Sequence, residues 1–169
     1  KWFDAVCPII AKYVSSKGGP VVMVQVDNEL MGIHEWFGGW DCNPETMGFG
    51  VDDGKYPLFL KKRYGQIEKL NEVYHASYEN FKQVFPKDLD SLEGKKAGQK
   101  DYQDFYFEGI AEYVEILSQW MRSYEIDCQI VHNSGNPNMN AYFLETARRL
   151  KSAFLLGSDH YYNLDQDWK

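Results

Sequence analysis

Apolar residues at positions 2, 3, 6, 9, 10, 13 and 14 recur at helical spacing and predict an amphipathic helix over Trp2–Ser15. Lys17-Gly18-Gly19-Pro20 stops that helix, and the run Val21–Val26 (VVMVQV) that follows predicts a strand. The run is β-branched and lacks polar alternation, which suits a parallel strand covered on both faces. A long loop rich in Gly and Trp occupies Leu30–Tyr56. The stripe Tyr64, Ile67, Leu70, Tyr74, Tyr78, Phe81 and Phe85 then predicts a helix over about Leu58–Phe85, ended by Pro86. Lys87–Lys100 is charged and contains Gly, so it reads as a surface loop. Asp101 is placed to cap a helix reaching Tyr124, with Phe105, Ile110, Tyr113, Val114, Leu117, Trp120 and Met121 on its apolar face. Asp127–His132 (DCQIVH) predicts a second strand that ends at Asn133-Ser134-Gly135-Asn136-Pro137. Ala141–Lys151 predicts a helix and Ala153–Ser158 (AFLLGS) a third strand.

Strands alternating with helices define an α/β chain with a parallel sheet. Three strands cannot close a barrel, and a (β/α)8 domain needs roughly 250 residues. The pattern therefore leaves two architectures open, a three-layer domain or the middle of a barrel.

Composition narrows the partners. The chain has 169 residues, a formal net charge of −7 and 44% hydrophobic residues, which is globular in character. No apolar run approaches the roughly 18 residues of a membrane-spanning helix. No basic block is present, and the acidic balance opposes binding to nucleic acid. A small or uncharged partner is expected. Cys7, Cys42 and Cys128 are widely spaced and odd in number, so neither a disulfide framework nor a thiolate metal site is predicted, and a reducing, cytoplasmic setting is slightly favoured. His34, His75, His132 and His160 show no metal-ligand spacing either, and no metal is expected.

In parallel α/β proteins the chemistry gathers at the C-terminal ends of the strands. Three such ends are polar here: Gln25-Val26-Asp27-Asn28-Glu29, His132-Asn133-Ser134, and Ser158-Asp159-His160-Tyr161-Tyr162. Asp-Asn-Glu after an apolar run is either an ordinary turn or a catalytic cluster, and the strand in front of it favours the cluster.

Gly-Gly-Pro, an apolar strand and Gln-Val-Asp-Asn-Glu together resemble the fourth strand of the β-galactosidases of glycoside hydrolase families 42 and 35. These belong to a clan of retaining glycosidases with an Asn-Glu pair at that strand end. The segment Phe59–Asn71 resembles the family 42 helix in which Lys-Tyr-Gly leads to Leu-Asn. Asp101–Phe107, Val131-His132-Asn133 and Asp159-His160-Tyr161 are similar to its later helix, fifth strand and sixth strand. The loop Gly32–Gly50 departs from the family pattern, in which a cysteine-bearing segment follows the Glu.

The resemblance implies a partial (β/α)8 TIM barrel, with residues 1–169 the central fragment of one catalytic domain (about strands 4 to 6) and strands 1–3 and 7–8 outside it. It implies hydrolysis of terminal β-galactosides or related β-glycosides with retention. Glu29 would be the general acid/base and Asn28 the residue that binds the sugar 2-hydroxyl. The nucleophilic Glu would end strand seven, beyond this chain, so the fragment alone is expected to be inactive. Such chemistry suits the residue types: a carboxylic acid protonates a poor leaving group, and a bond to the 2-hydroxyl strengthens as charge grows on the ring.

Other expected sugar contacts are Asn133, His160 and Tyr161 at strand ends, and Trp36 and Trp40 in the loop, where Phe37 and Phe49 add further aromatic surface. Indole faces stack on the apolar side of a sugar. Satisfied strand-end polar groups and loop core are the competing readings of these residues. No cofactor is expected. The partners are carbohydrate substrate and the remainder of the catalytic domain, and a homo-oligomer is compatible with both. The rival function is a non-catalytic carbohydrate-binding barrel; an unrelated parallel α/β domain is a third reading.

Overall fold

The computed structural model describes residues 1–30, 43–85, 92–134, 148–150 and 154–158. Two compact units divide the chain: Lys1–Gly39 with Phe107–Lys169, and Trp40–Tyr106.

The first unit holds a sheet of three parallel strands, β1 (Met23–Gln25), β2 (Gln129–Ser134) and β3 (Phe154–Ser158), in that spatial order. Val24 pairs with Ile130, Gln25 with Val131, and Val131 with Leu155. The predicted parallel arrangement and strand order are therefore observed. Helix α1 (Trp2–Ile10) is shorter than the expected 2–15. Its last turn tightens, with the N–H groups of Lys12 and Tyr13 donating to Ile9 and Ile10. Val14 then becomes extended and bridges Val21. The apolar spacing continued through Val14 because that side chain is still buried, in an extended rather than a helical backbone. A 3-10 turn, Ser15–Lys17, and left-handed Gly18 lead into the strand.

The strand expected over 21–26 forms a regular ladder only at Met23–Gln25, and the Val26 N–H extends the pairing to the Val131 carbonyl (2.9 Å). Covering on both faces is not observed. Val22 and Met23 are 61% and 51% exposed, because β1 is the edge of the three described strands. Central β2 is the buried one. Cys128 and Ile130 pack with Val26, with Cys7, Ala11 and Val14, and with Val114, Leu117 and Met121 of the long helix α5 (Leu92–Ser123). Burying a side chain such as Ile130 contributes roughly 1.5–3 kcal/mol. After α5, Arg122 donates to the carbonyls of Ile126 and Cys128 (2.6 Å each) and so satisfies the turn into β2.

The second unit is helical: α2 (Pro44–Met47), α3 (Lys55–Tyr64), α4 (Ile67–Tyr74), a 3-10 turn (Phe81–Gln83) and residues 92–106 of α5. Asn43 caps α2 by accepting the Glu45 N–H (2.9 Å). The single helix expected over 58–85 is broken twice. Gly65 (φ 77) ends α3, extended Gln66 starts α4, and left-handed His75 (φ 51) ends it. The stripe was real nonetheless, since Leu70, Tyr74, Tyr56, Leu60, Met47, Phe49, Val84 and Tyr102 form one core.

The reading of 87–100 as loop and Asp101 as a cap is also corrected. Helix α5 begins at Leu92 and runs straight through Asp101, which is 2% exposed. Its carboxylate accepts from the Tyr64 and Tyr74 hydroxyls (2.5 and 2.8 Å) and pairs with the Arg63 Nε (3.1 Å). A buried charge needs such partners. Burial comes first in pushing the phenols of Tyr64 and Tyr74 upward, with the Asp101 carboxylate acting in the same direction, so both remain donors. The expected helix over 141–151 lies mostly outside the described residues.

Candidate active site

Past the end of β1 the backbone turns in a way most residues avoid. Asp27 (φ 54) and Glu29 (φ 48) are both left-handed without being glycine, at a cost of about 1–3 kcal/mol each. Several bonds hold the turn. The Asp27 carboxylate accepts the Asn28 N–H (2.7 Å) and the Tyr113 hydroxyl (2.9 Å). Gln25 Nε2 donates to the Asp27 carbonyl (3.0 Å), and the Glu29 N–H donates to Asn133 Oδ1 (3.1 Å). The Tyr113 phenol is pushed up first by its bond to Asp27 and then by burial, so it stays a donor.

Strand register explains why β2 supplies the support. Gln25 pairs with Val131, and Asn133 lies two residues on, on the same face. His132 falls on the opposite, buried face, where its Nδ1 meets the Val26 carbonyl at 2.8 Å. A backbone carbonyl only accepts, so Nδ1 carries the proton. Nε2 then faces the Leu30 N–H as an acceptor (3.4 Å).

The amide of Asn28 is oriented by the same group. Its Oδ1 accepts from Asn133 Nδ2 (3.0 Å) and from Gln25 Nε2 (3.2 Å), which fills both lone pairs. Only the Asn28 NH2 is left to meet a ligand, and among the described residues it has no acceptor. Asn28 is exposed, Glu29 is half-buried and Asn133 is buried. The strand end thus presents the oriented amide donor of Asn28, and Glu29 follows it in the chain.

Asn28, Glu29 and Asn133, all singled out in the sequence, come together here. Trp36, Trp40, His160 and Tyr161 lie outside the described residues. Phe49 is core, with ring centroids 4.6 Å from Phe85 and 5.3 Å from Tyr56, so the sugar-stacking reading does not apply to it. Sequence reasoning gave no role to Gln25, Asp27, Tyr113 or His132. Gln25 carried a visible signal as the one polar residue inside VVMVQV, whereas Tyr113 looked like part of an apolar helix face. Among the described residues no three His, Cys, Asp or Glu side chains gather as metal ligands, and no helix is long and apolar enough to cross a membrane.

Parallel strands that collect polar groups at their C-terminal ends define an α/β protein of the kind that carries its chemistry there. The comparisons with known proteins give the family: the beta-galactosidase model of glycoside hydrolase family 42 matches residues 7–168, and the chain belongs to this family. A beta-1,2-glucosyltransferase of Ignavibacterium album is 34% identical over 135 residues, covering 79% of this chain and 18% of the relative. Beta-galactosidase YesZ of Bacillus subtilis is 30% identical over 125 residues, covering 64% of this chain and 19% of the relative. The crystal structure of a beta-galactosidase from the psychrophilic Marinomonas ef1 shares the fold over 92% of this chain and 22% of its own, with a TM-score of 0.65 at 18% identity. The chain spans about a fifth of the length of the curated relatives it matches.

Proposed function

We propose that this chain supplies the acid/base half of a retaining β-glycosidase site in a (β/α)8 barrel, with a terminal β-galactoside as substrate. The observation that carries the reading is the Asn28–Glu29 turn at a strand end, where the Asn28 amide has its oxygen occupied and its donors left over, and Glu29 is the next residue. In this reading Glu29 gives its proton to the glycosidic oxygen as the bond to the anomeric carbon breaks. A second carboxylate, about 5–5.5 Å away in retaining enzymes, bonds that carbon. Glu29, now ionised, takes a proton from water, which displaces the second carboxylate. Asn28 donates to the sugar 2-hydroxyl. Asn133, committed to both neighbours, serves as their support, while Trp36, Trp40, His160 and Tyr161 complete the sugar contacts. Two carboxylates suffice for this chemistry without a cofactor.

A second reading keeps the residues and changes the acceptor. The similarity to a beta-1,2-glucosyltransferase favours a sugar hydroxyl in place of water, activated by the same Glu29. Products formed with and without added sugar acceptor separate the two.

In the complete protein, Glu29→Gln should lower the rate on sugar leaving groups by roughly 10²–10⁴-fold or more, since acid and later base are both lost. Dinitrophenolate departs without a proton, so its glycosylation step should be nearly unaffected, and azide should restore turnover as a β-glycosyl azide. Equal slowing of both leaving groups, with no effect of azide, would remove Glu29 from the mechanism.

A further inference from the structure

We infer that Gln25 is a positioning residue, which acts on the reaction through the amide of Asn28 rather than by touching substrate. The inference rests on the role proposed for Asn28 and goes beyond it. Gln25 Nε2 lies 3.0 Å from the Asp27 carbonyl, 3.2 Å from Asn28 Oδ1 and 3.0 Å from Asn133 Oδ1. Two N–H bonds are thus spread over three oxygens belonging to the turn and its neighbour strand. One side chain therefore ties the left-handed backbone at Asp27 to the orientation of Asn28 and to the group that holds the Glu29 N–H.

The orientation of an amide is a chemical choice. Turned one way Asn28 gives two donors to a hydroxyl, turned the other it gives lone pairs. Gln25 and Asn133 both donate into Oδ1, and each penalises the reversed amide by setting NH2 against NH2. Without Gln25 one of these restraints is gone, the turn loses its carbonyl contact at Asp27, and the Asn28 amide samples both orientations. The loss belongs to the transition state, where the bond to the 2-hydroxyl is strongest.

The test compares Gln25→Met, which keeps length and removes both N–H groups, on a nitrophenyl β-galactoside and on its 2-deoxy counterpart in the full-length protein. The expected result is a loss of about tenfold or more in kcat on the 2-hydroxy substrate with little change in KM, and a much smaller loss on the 2-deoxy substrate. Gln25→Glu, nearly isosteric, should give the same selective loss if Gln25→Met does not fold. Equal losses on both substrates with either variant would overturn the inference and leave Gln25 a structural clamp. Asn28→Ala in the same assay guards the underlying reading: if it too slows both substrates equally, the role of Asn28 fails before that of Gln25 is reached.

Discussion

Gly19 sits where the chain has least room to enter β1. A Cβ there would lie 2.0 Å from the Tyr13 carbonyl oxygen, the acceptor of the Val21 N–H. No rotamer relieves a backbone clash, so Gly19→Ala should cost more than about 1 kcal/mol in denaturant titrations. Gly18→Ala has open space and only the left-handed backbone to contend with, and should cost less. The sequence placed both glycines in a turn but could not rank them, because the ranking depends on which carbonyl lies opposite. The candidate site was legible in a similar degree. Asn28 and Glu29 stood out as polar residues after an apolar run, whereas Tyr113 reaches Asp27 across 86 residues and the helical spacing gave its hydroxyl no partner.

At the scale of elements, the helices were misjudged where polarity and burial part company. Asp101 reads as a cap because aspartate disfavours helix interiors, yet its carboxylate is held by Tyr64, Tyr74 and Arg63 inside α5. Periodicity survived the breaks at Gly65 and His75 because both short helices face one core, so spacing alone reported a single helix. One turn further along α5, Asp104 accepts from Arg63 (2.7 Å) and Lys100 (2.9 Å). Burial pushes this carboxyl up, but the two cations outweigh it and hold it below the ordinary carboxylate value. A depressed carboxyl stabilises the fold above its unfolded value and loses that contribution as pH falls through the folded one. Urea midpoints should therefore drop below about pH 4, and Asp104→Asn should flatten that part of the profile.

The whole molecule comprises one unit with parallel strands and one helical unit, in a chain about a fifth as long as its curated relatives. On its own it should turn over no nitrophenyl galactoside, since the proposed mechanism needs a second carboxylate to which no residue here is assigned. It should also self-associate. Val22, Met23 and Trp120 are exposed, and an open strand edge such as β1 invites pairing. Light scattering and a nitrophenyl assay check both expectations, and clean turnover would mean that the catalytic pair is misassigned. The bond between Glu29 and Asn133 crosses 104 residues, and that separation has a consequence in time. At roughly 5–20 residues per second of synthesis, Asn133 leaves the ribosome about 5–20 seconds after Glu29. Until then the left-handed turn at Asp27 and Glu29 has only its local bonds, from the Asn28 N–H and Gln25 to Asp27, and lacks the hold of Asn133 on the Glu29 N–H. Loop closure over such a distance belongs to the late part of folding. The turn at the end of β1 is thus synthesised well before the strand that completes its support, and takes its final shape only when that strand arrives.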